Sequence, residues 1–238
     1  MFDNLPQILA VLAEGLPQTV VATVGGIVLT VLLSLAAGLL LLAPRRWARV
    51  PARIYVEGFR GTSEVVQLFW IYFVLPVLVG YQLVPLWAGV LVLGLNHGAY
   101  GAEIVRGAVQ SVPRAQYEGA IALSLTPAQR MRRVILPQAV VEMLPPMNNL
   151  FIQLLKSTAI LSLITVEEIT RQARDVLIPA FGQDTLLIFG CLFVLYLMLA
   201  ALITAGMRWM ERVAAAKVGR PPRGLRRGTA PAATGGAV

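Results

Sequence analysis

Few side chains in this 238-residue chain are equipped for chemistry, and those that are stand in apolar surroundings. Lys156, Ser157 and Thr158 break one greasy run, Asn96 and His97 break a second, and Glu64 stands at the edge of a third. An ionisable group near the middle of a bilayer costs about 3 kcal/mol unless it meets water, a partner or a substrate. One chemistry open to the Lys156 cluster is that of a substrate path, where an interrupted helix and a cation meet a carboxylate. The other is structural: Lys156 snorkels or pairs with a carboxylate such as Glu64 to fix the bundle, and this pairing is the preferred reading. Asn96 and His97 fall between Gly94 and Gly98, a small-xxx-small spacing that lets helices approach closely. They therefore serve either as packing and cross-helix hydrogen bonds or as a substrate path. No catalytic set accompanies them. Neither lysine, Lys156 or Lys217, follows a glycine, so there is no GxxxxGK[ST] phosphate loop. Cys191 is the single cysteine, which excludes a thiolate metal cluster. No metal or bound cofactor is expected.

The elements that position these residues are membrane helices. The chain is 57% hydrophobic and 13% charged, with a mean hydropathy of +0.73, more than one soluble core can hide. Its formal charge of +8 is carried by basic residues interleaved with long apolar runs, the pattern of loops facing anionic headgroups rather than nucleic acid. Crossing the hydrocarbon takes about 20 apolar residues. Gly15 to Pro44 has no charged side chain and supplies span one, about 17–42. Val65 to Ala102 is also free of Asp, Glu, Lys and Arg and suits two spans, with Pro76, Gly80 and Pro85 marking the turn. Span four is expected near 139–165, weakened by Pro145 and Pro146, and span five at 185–207.

Orientation follows from the basic residues. Arg45, Arg46, Arg49 and Arg53 lie between spans one and two, Arg106, Arg114, Arg130, Arg132 and Arg133 between three and four, and a basic run follows span five. Those segments are expected in the cytoplasm, with the N-terminus outside. The N-terminal stretch has no basic residue and Glu14 interrupts it, which argues against a cleaved signal peptide. The chain thus divides into an external segment (1–16), a transmembrane domain (17–212) and a mobile cytoplasmic tail (213–238) rich in Pro, Gly, Ala and Arg. Glu167 and Glu168 fall just outside the membrane, where they either cap helix starts or touch an external partner.

One segment does not belong to the bilayer: residues 111–137, SVPRAQYEGAIALSLTPAQRMRRVILP. Pro113 suits the start of a short helix, on which Tyr117, Ala120, Ile121 and Ser124 are expected to share a face with Glu118 at its flank. Thr126, Pro127 and Gln129 have the signature of a capping box opening a second helix, so the bend falls at Ser124 and Leu125. A helical hairpin of this kind is either a headgroup anchor or a ridge for the groove of a soluble partner.

The order Glu118, Gly119, Ala120, three residues, Ser124, nine residues, Val134, one residue, Leu136, Pro137 resembles the cytoplasmic EAA loop of ABC importer permeases. RGTSEVVQLFWIYFVLP from Arg60, GLNHGAYGAEIVRGAVQSVP from Gly94 and LPPMNNLFIQLLKSTAILSLITVEEI from Leu144 are similar to permease subunits of polar amino acid ABC importers. VQLFWIYFVLP and LLKSTAILSLIT are nearest the ectoine and hydroxyectoine uptake branch. Three positions depart from the pattern: Gly119 for alanine, Ser124 for glycine and Ser63 for proline.

The resemblance implies an all-α, type I importer permease fold with five spans and a cytoplasmic coupling helix between spans three and four, in the bacterial inner membrane. It also implies a second permease subunit, identical or homologous, an external solute-binding protein, and two ATP-binding subunits that hold ATP and Mg and dock on Tyr117, Glu118, Gly119, Ala120, Ile121 and Ser124. The chain itself would be non-catalytic. A secondary transporter or channel would call for paired charges in several spans and often an internal repeat; the sequence has one clear midspan charge and no evident repeat. A scaffold that moves no solute would differ only in lacking transport.

Overall fold

The structure is a computed structural model describing residues 4–219, and every element among them is helical. Residues 220–238, the greater part of the expected tail, lie outside the described residues. The helices are α1 (Leu5–Leu41), α2 (Arg46–Arg60), α3 (Glu64–Val79), α4 (Pro85–Gln110), α5 (Arg114–Ala122), α6 (Pro127–Ile164), α7 (169–180) and α8 (Thr185–Lys217).

Helix α1 begins twelve residues earlier than the sequence pattern suggested, so residues 5–16 are its first turns rather than a separate segment. The apolar face of those turns explains this: Ile8 and Leu12 are fully buried against Ile169, Ala173, Leu177, Ile188 and Leu192 of α7 and α8, while Glu14 stays exposed. At 37 residues α1 is about 55 Å long, well beyond the ~30 Å hydrocarbon core.

The expected Arg-rich loop after span one is instead α2, a strongly amphipathic helix that buries Ala52 and Val56. It meets α3 at 105°. The turn expected between spans two and three is present, with Gly80 at φ +74 and Pro85 opening α4. By length and composition α1, α6 and α8 suffice to cross a membrane, and the bent pair α2–α3 passes the same test only when its two arms are taken together. α4 does not reach that hydropathy, yet it is the most enclosed helix, with Ala88, Val92, Leu93, Ala99, Ala102 and Val105 fully buried. It lies against α1, α2 and α6.

The small-residue spacing on α4 makes the closest of these contacts possible. A methyl placed on Gly94 would stand 2.5 Å from Leu29 Cδ2, and one on Gly98 2.8 Å from Leu33 Cβ and the Tyr55 hydroxyl. Ser34 Oγ donates to Gly98 O across this seam at 3.3 Å.

Pro145 and Pro146 do not break α6, which runs as α-helix to Ser157. The interruption falls where Lys-Ser-Thr predicted it: from Thr158 to Ile164 the backbone tightens to a 3-10 helix and ends on Thr165 at φ +68.

Candidate functional site

Two sites emerge, one at the hairpin and one inside the bundle. At the hairpin, α5 spans Arg114–Ala122 with Pro113 at its N-cap. Ser124 bends the chain at φ +56, and Thr126 and Gln129 form the reciprocal capping box. The second arm is not a separate short helix. It runs through a π turn at Met131–Ile135 directly into the membrane part of α6. The second arm of the hairpin is thus continuous with the helix that reaches Ser157.

The expected single face is split. Tyr117 turns inward, its hydroxyl donating to Val109 O at 3.2 Å with the Arg130 guanidinium 6.0 Å from its ring centre, and Ala120 is buried. Glu118, Gly119, Ile121 and Ser124 face out. A helix packed on its own bundle has to spend part of its apolar stripe inward, and Tyr117 and Ala120 supply that part. The outward surface gains Leu123, which the motif pattern passed over. Ile121 is 57% and Leu123 76% exposed, a pair of large apolar side chains beside a carboxylate.

Inside the bundle, Glu64, Asn96, His97 and Ser157 come together from α3, α4 and α6. Ser157 Oγ donates to Glu64 Oε2 at 2.9 Å, and His97 Nδ1 lies 3.5 Å from Glu64 Oε1 and 3.1 Å from Leu93 O. Asn96 Nδ2 donates to Gln67 Oε1 at 3.1 Å and to Phe59 O at 3.2 Å. Gln67 Nε2 in turn reaches Thr62 Oγ1 at 2.7 Å and Phe59 O at 2.9 Å, tying together the corner between α2 and α3. Gln67 escaped the sequence reading, which stopped at Glu64 at the edge of its apolar run. Its spacing of three from Glu64 on a helix was the available signal. Beside this corner opens a cavity of about 490 Å³ that includes Tyr55, Phe59, Thr62 and Gln67 in its wall. Glu64 Oε1 and His97 Nε2 are buried without a hydrogen-bond partner among the described residues.

Lys156 does not join them. Its side chain is exposed, and Ser157 takes the place at Glu64 that Lys156 was expected to fill. The helix geometry accounts for it: neighbouring residues point about 100° apart, so a helix that aims Ser157 at Glu64 turns Lys156 away. Thr158 is buried and bonds back to Leu155 O at 2.7 Å, holding the start of the 3-10 segment.

Of the two readings open for Glu168, the structure adopts the cap. Its carboxylate accepts the Thr170 and Arg171 amides at 2.8 and 2.7 Å and the Tyr196 hydroxyl at 3.3 Å. Burial pushes this carboxyl above the usual carboxylate range, against the hydrogen bonds to Thr170, Arg171 and Tyr196 that pull it down. Next to it, the Ile169 amide donates to Thr19 Oγ1 at 3.2 Å, fastening α7 to α1.

An all-helical fold with helices of membrane length, a broken helix at a buried polar cluster and a projecting hairpin is the build of an integral membrane subunit. Residues 30–218 match the family described as the binding-protein-dependent transport system inner membrane component, and the chain belongs to it, among the amino-acid ABC transporter permeases. A "probable amino-acid ABC transporter permease protein" of Sinorhizobium fredii is 45% identical over 66% of this chain and 68% of its own. The glutamine transport system permease of Escherichia coli is 35% identical over 84% and 91%. A crystal structure of an amino acid ABC transporter with histidines superposes with a TM-score of 0.79 at 31% identity, covering 89% of this chain and 98% of that one. As a multi-pass inner-membrane component of a binding-protein-dependent importer, the chain implies an ATPase and a substrate-binding protein as partners. Permease subunits of this kind are typically non-catalytic.

Proposed function

We propose that this chain forms half of the translocation path of an ATP-driven importer and receives its ATPase on the outward surface of α5. The observation that carries the docking reading is the hairpin tip: a carboxylate and two exposed large apolar residues on a segment continuous with a membrane helix. Glu118 accepts charge-assisted hydrogen bonds in the ATPase groove while Ile121 and Leu123 fill it. A second permease subunit completes the path, two ATPase subunits bind ATP and Mg on the cytoplasmic side, and the solute-binding protein delivers from outside. The path has five crossings, with the N-terminus outside, as the arginine distribution supports. Glu64, Asn96, His97 and Ser157 line it beside the 3-10 segment, with Lys156 at its margin.

The solute is a polar amino acid or a related compatible solute. The amino acid relatives support the first, and VQLFWIYFVLP with LLKSTAILSLIT supports ectoine or hydroxyectoine. Mass spectrometry of solute bound to the complex purified with its native partners identifies it.

Glu118→Lys tests the docking. Losing a charge-assisted contact at a desolvated interface costs about 2 to 5 kcal/mol, so the variant inserts normally but releases the ATPase or uncouples its hydrolysis from uptake. Co-purification and solute uptake measure this. Wild-type ATPase binding with wild-type uptake would return the hairpin to a headgroup anchor.

A further inference from the structure

The outward face of α6 is polar where those of its neighbours are not. At about 100° per residue, Gln138, Glu142, Pro146, Asn149, Gln153 and Lys156 fall within an arc of about 80°, and the last four of them are exposed. The opposite side of the helix is core, with Met143, Met147, Leu150 and Leu154 buried. By contrast α1 turns Val24, Val28 and Leu32 outward, and α8 turns Phe193, Leu197 and Leu202 outward, as lipid requires. The side chains of Asn149, Gln153 and Lys156 find no hydrogen-bond or ion-pair partner among the described residues. Beside the same arc, Pro145 and Pro146 withdraw two amide donors from the helix ladder.

Polar side chains and freed carbonyls at membrane depth belong against protein or a water-filled cavity, not against acyl chains. Continuity decides which. Ser157, adjacent to Lys156, already reaches the Glu64 cluster, so the arc prolongs that polar lining toward the hairpin by about 21 Å, the rise from Lys156 back to Glu142. It carries one charge of each sign at its two ends and uncharged amides between them. We infer that the Glu142–Lys156 arc is the wetted wall of the translocation path, with Lys156 as the group that draws in the carboxylate of a zwitterionic solute.

The inference rests on the reading of the chain as half of such a path. Single cysteines at Asn149 and Gln153, and at Leu197 and Leu202 as lipid-facing controls, are introduced on a Cys191→Ser background. The complex, purified with its native partner subunits, is held in lipid nanodiscs that leave both faces open. Two methanethiosulfonates serve as probes, one bearing a sulfonate and one a trimethylammonium, and labelling is read from the mass of the permease. A thiol in water ionises and reacts, whereas one in hydrocarbon stays protonated, so positions 149 and 153 should label more than about ten-fold faster than 197 and 202. Lys156 lies one turn from position 153, about 6 Å away. In water at low ionic strength it enriches an anion and depletes a cation about three-fold each. The sulfonate-to-ammonium rate ratio at 153 should therefore fall about ten-fold in Lys156→Gln. The ratio at 153 should also exceed that at 149, which makes the same comparison with the lysine in place. Rates at 149 and 153 as slow as those of the controls would overturn the wetted wall, and so would unreactive cysteines that oxidise to a disulfide between two permease copies. A ratio that is the same at 149 and 153 and indifferent to Lys156→Gln would remove the lysine's role. Co-purification of the ATPase with the parent chain reports on the importer reading separately: a complex that keeps its ATPase while 149 and 153 stay unreactive sinks the wall alone.

Discussion

Ser124 is the residue at which this chain departs most sharply from the loop pattern it otherwise follows. A serine at φ +56 bears about 1 kcal/mol that glycine would not. Ser124→Gly should therefore firm the hairpin, slowing amide exchange at Leu125 and Thr126 about five-fold by hydrogen-exchange mass spectrometry; unchanged exchange would mean that the serine adopts this conformation without strain. The bend itself was legible, because Thr126, Pro127 and Gln129 make a local signal that needs no tertiary contact. The partner of Glu64 was not. Both Lys156 and Ser157 were in range along the sequence, and only the rotation of α6 decides between them. Leu123 was missed for a related reason: it lies outside the motif, and its 76% exposure depends on how α5 sits on α4 and α6.

Among the elements, α1 and α4 carry the tightest fit, and the small-residue spacing on α4 announced it. Gly98→Val would overpack this seam against Leu33 and Tyr55, a cost of about 1 to 3 kcal/mol. The detergent-solubilised protein should unfold at lower temperature, whereas Gly119→Ala, whose new methyl meets nothing within 4 Å, should hold or raise the midpoint. Equal stability of Gly98→Val and the parent would show that α1 and α4 separate at no cost. Hydrophobic run length found the long helices but misplaced their ends. α1 starts early because Ile8 and Leu12 have α7 to cover them, a contact some 160 residues away in sequence that no local window contains. α2 escaped for the opposite reason: its arginines read as a loop, although they recur at helical spacing and leave an apolar face that buries Ala52 and Val56.

At the scale of the whole molecule, the arginine asymmetry predicts that residues 45–53, 106–133 and 208 onward face the cytoplasm. A cysteine at Arg132, introduced on a Cys191→Ser background, should resist an impermeant thiol reagent in intact cells and react after permeabilisation. Labelling from outside would invert the topology. The enclosed position of α4 also has a consequence for how the protein is made. A helix that interrupts its apolar run with Asn96 and His97 is poorly suited to leave the translocation machinery for lipid unaided, and its complement, the Leu29 and Leu33 face of α1, is synthesised first. The nascent chain should hold α4 until α1 can shelter it. With α1 deleted, a glycosylation acceptor site engineered to follow α4 should report failed insertion, and the same reporter should insert when α1 is restored in the chain.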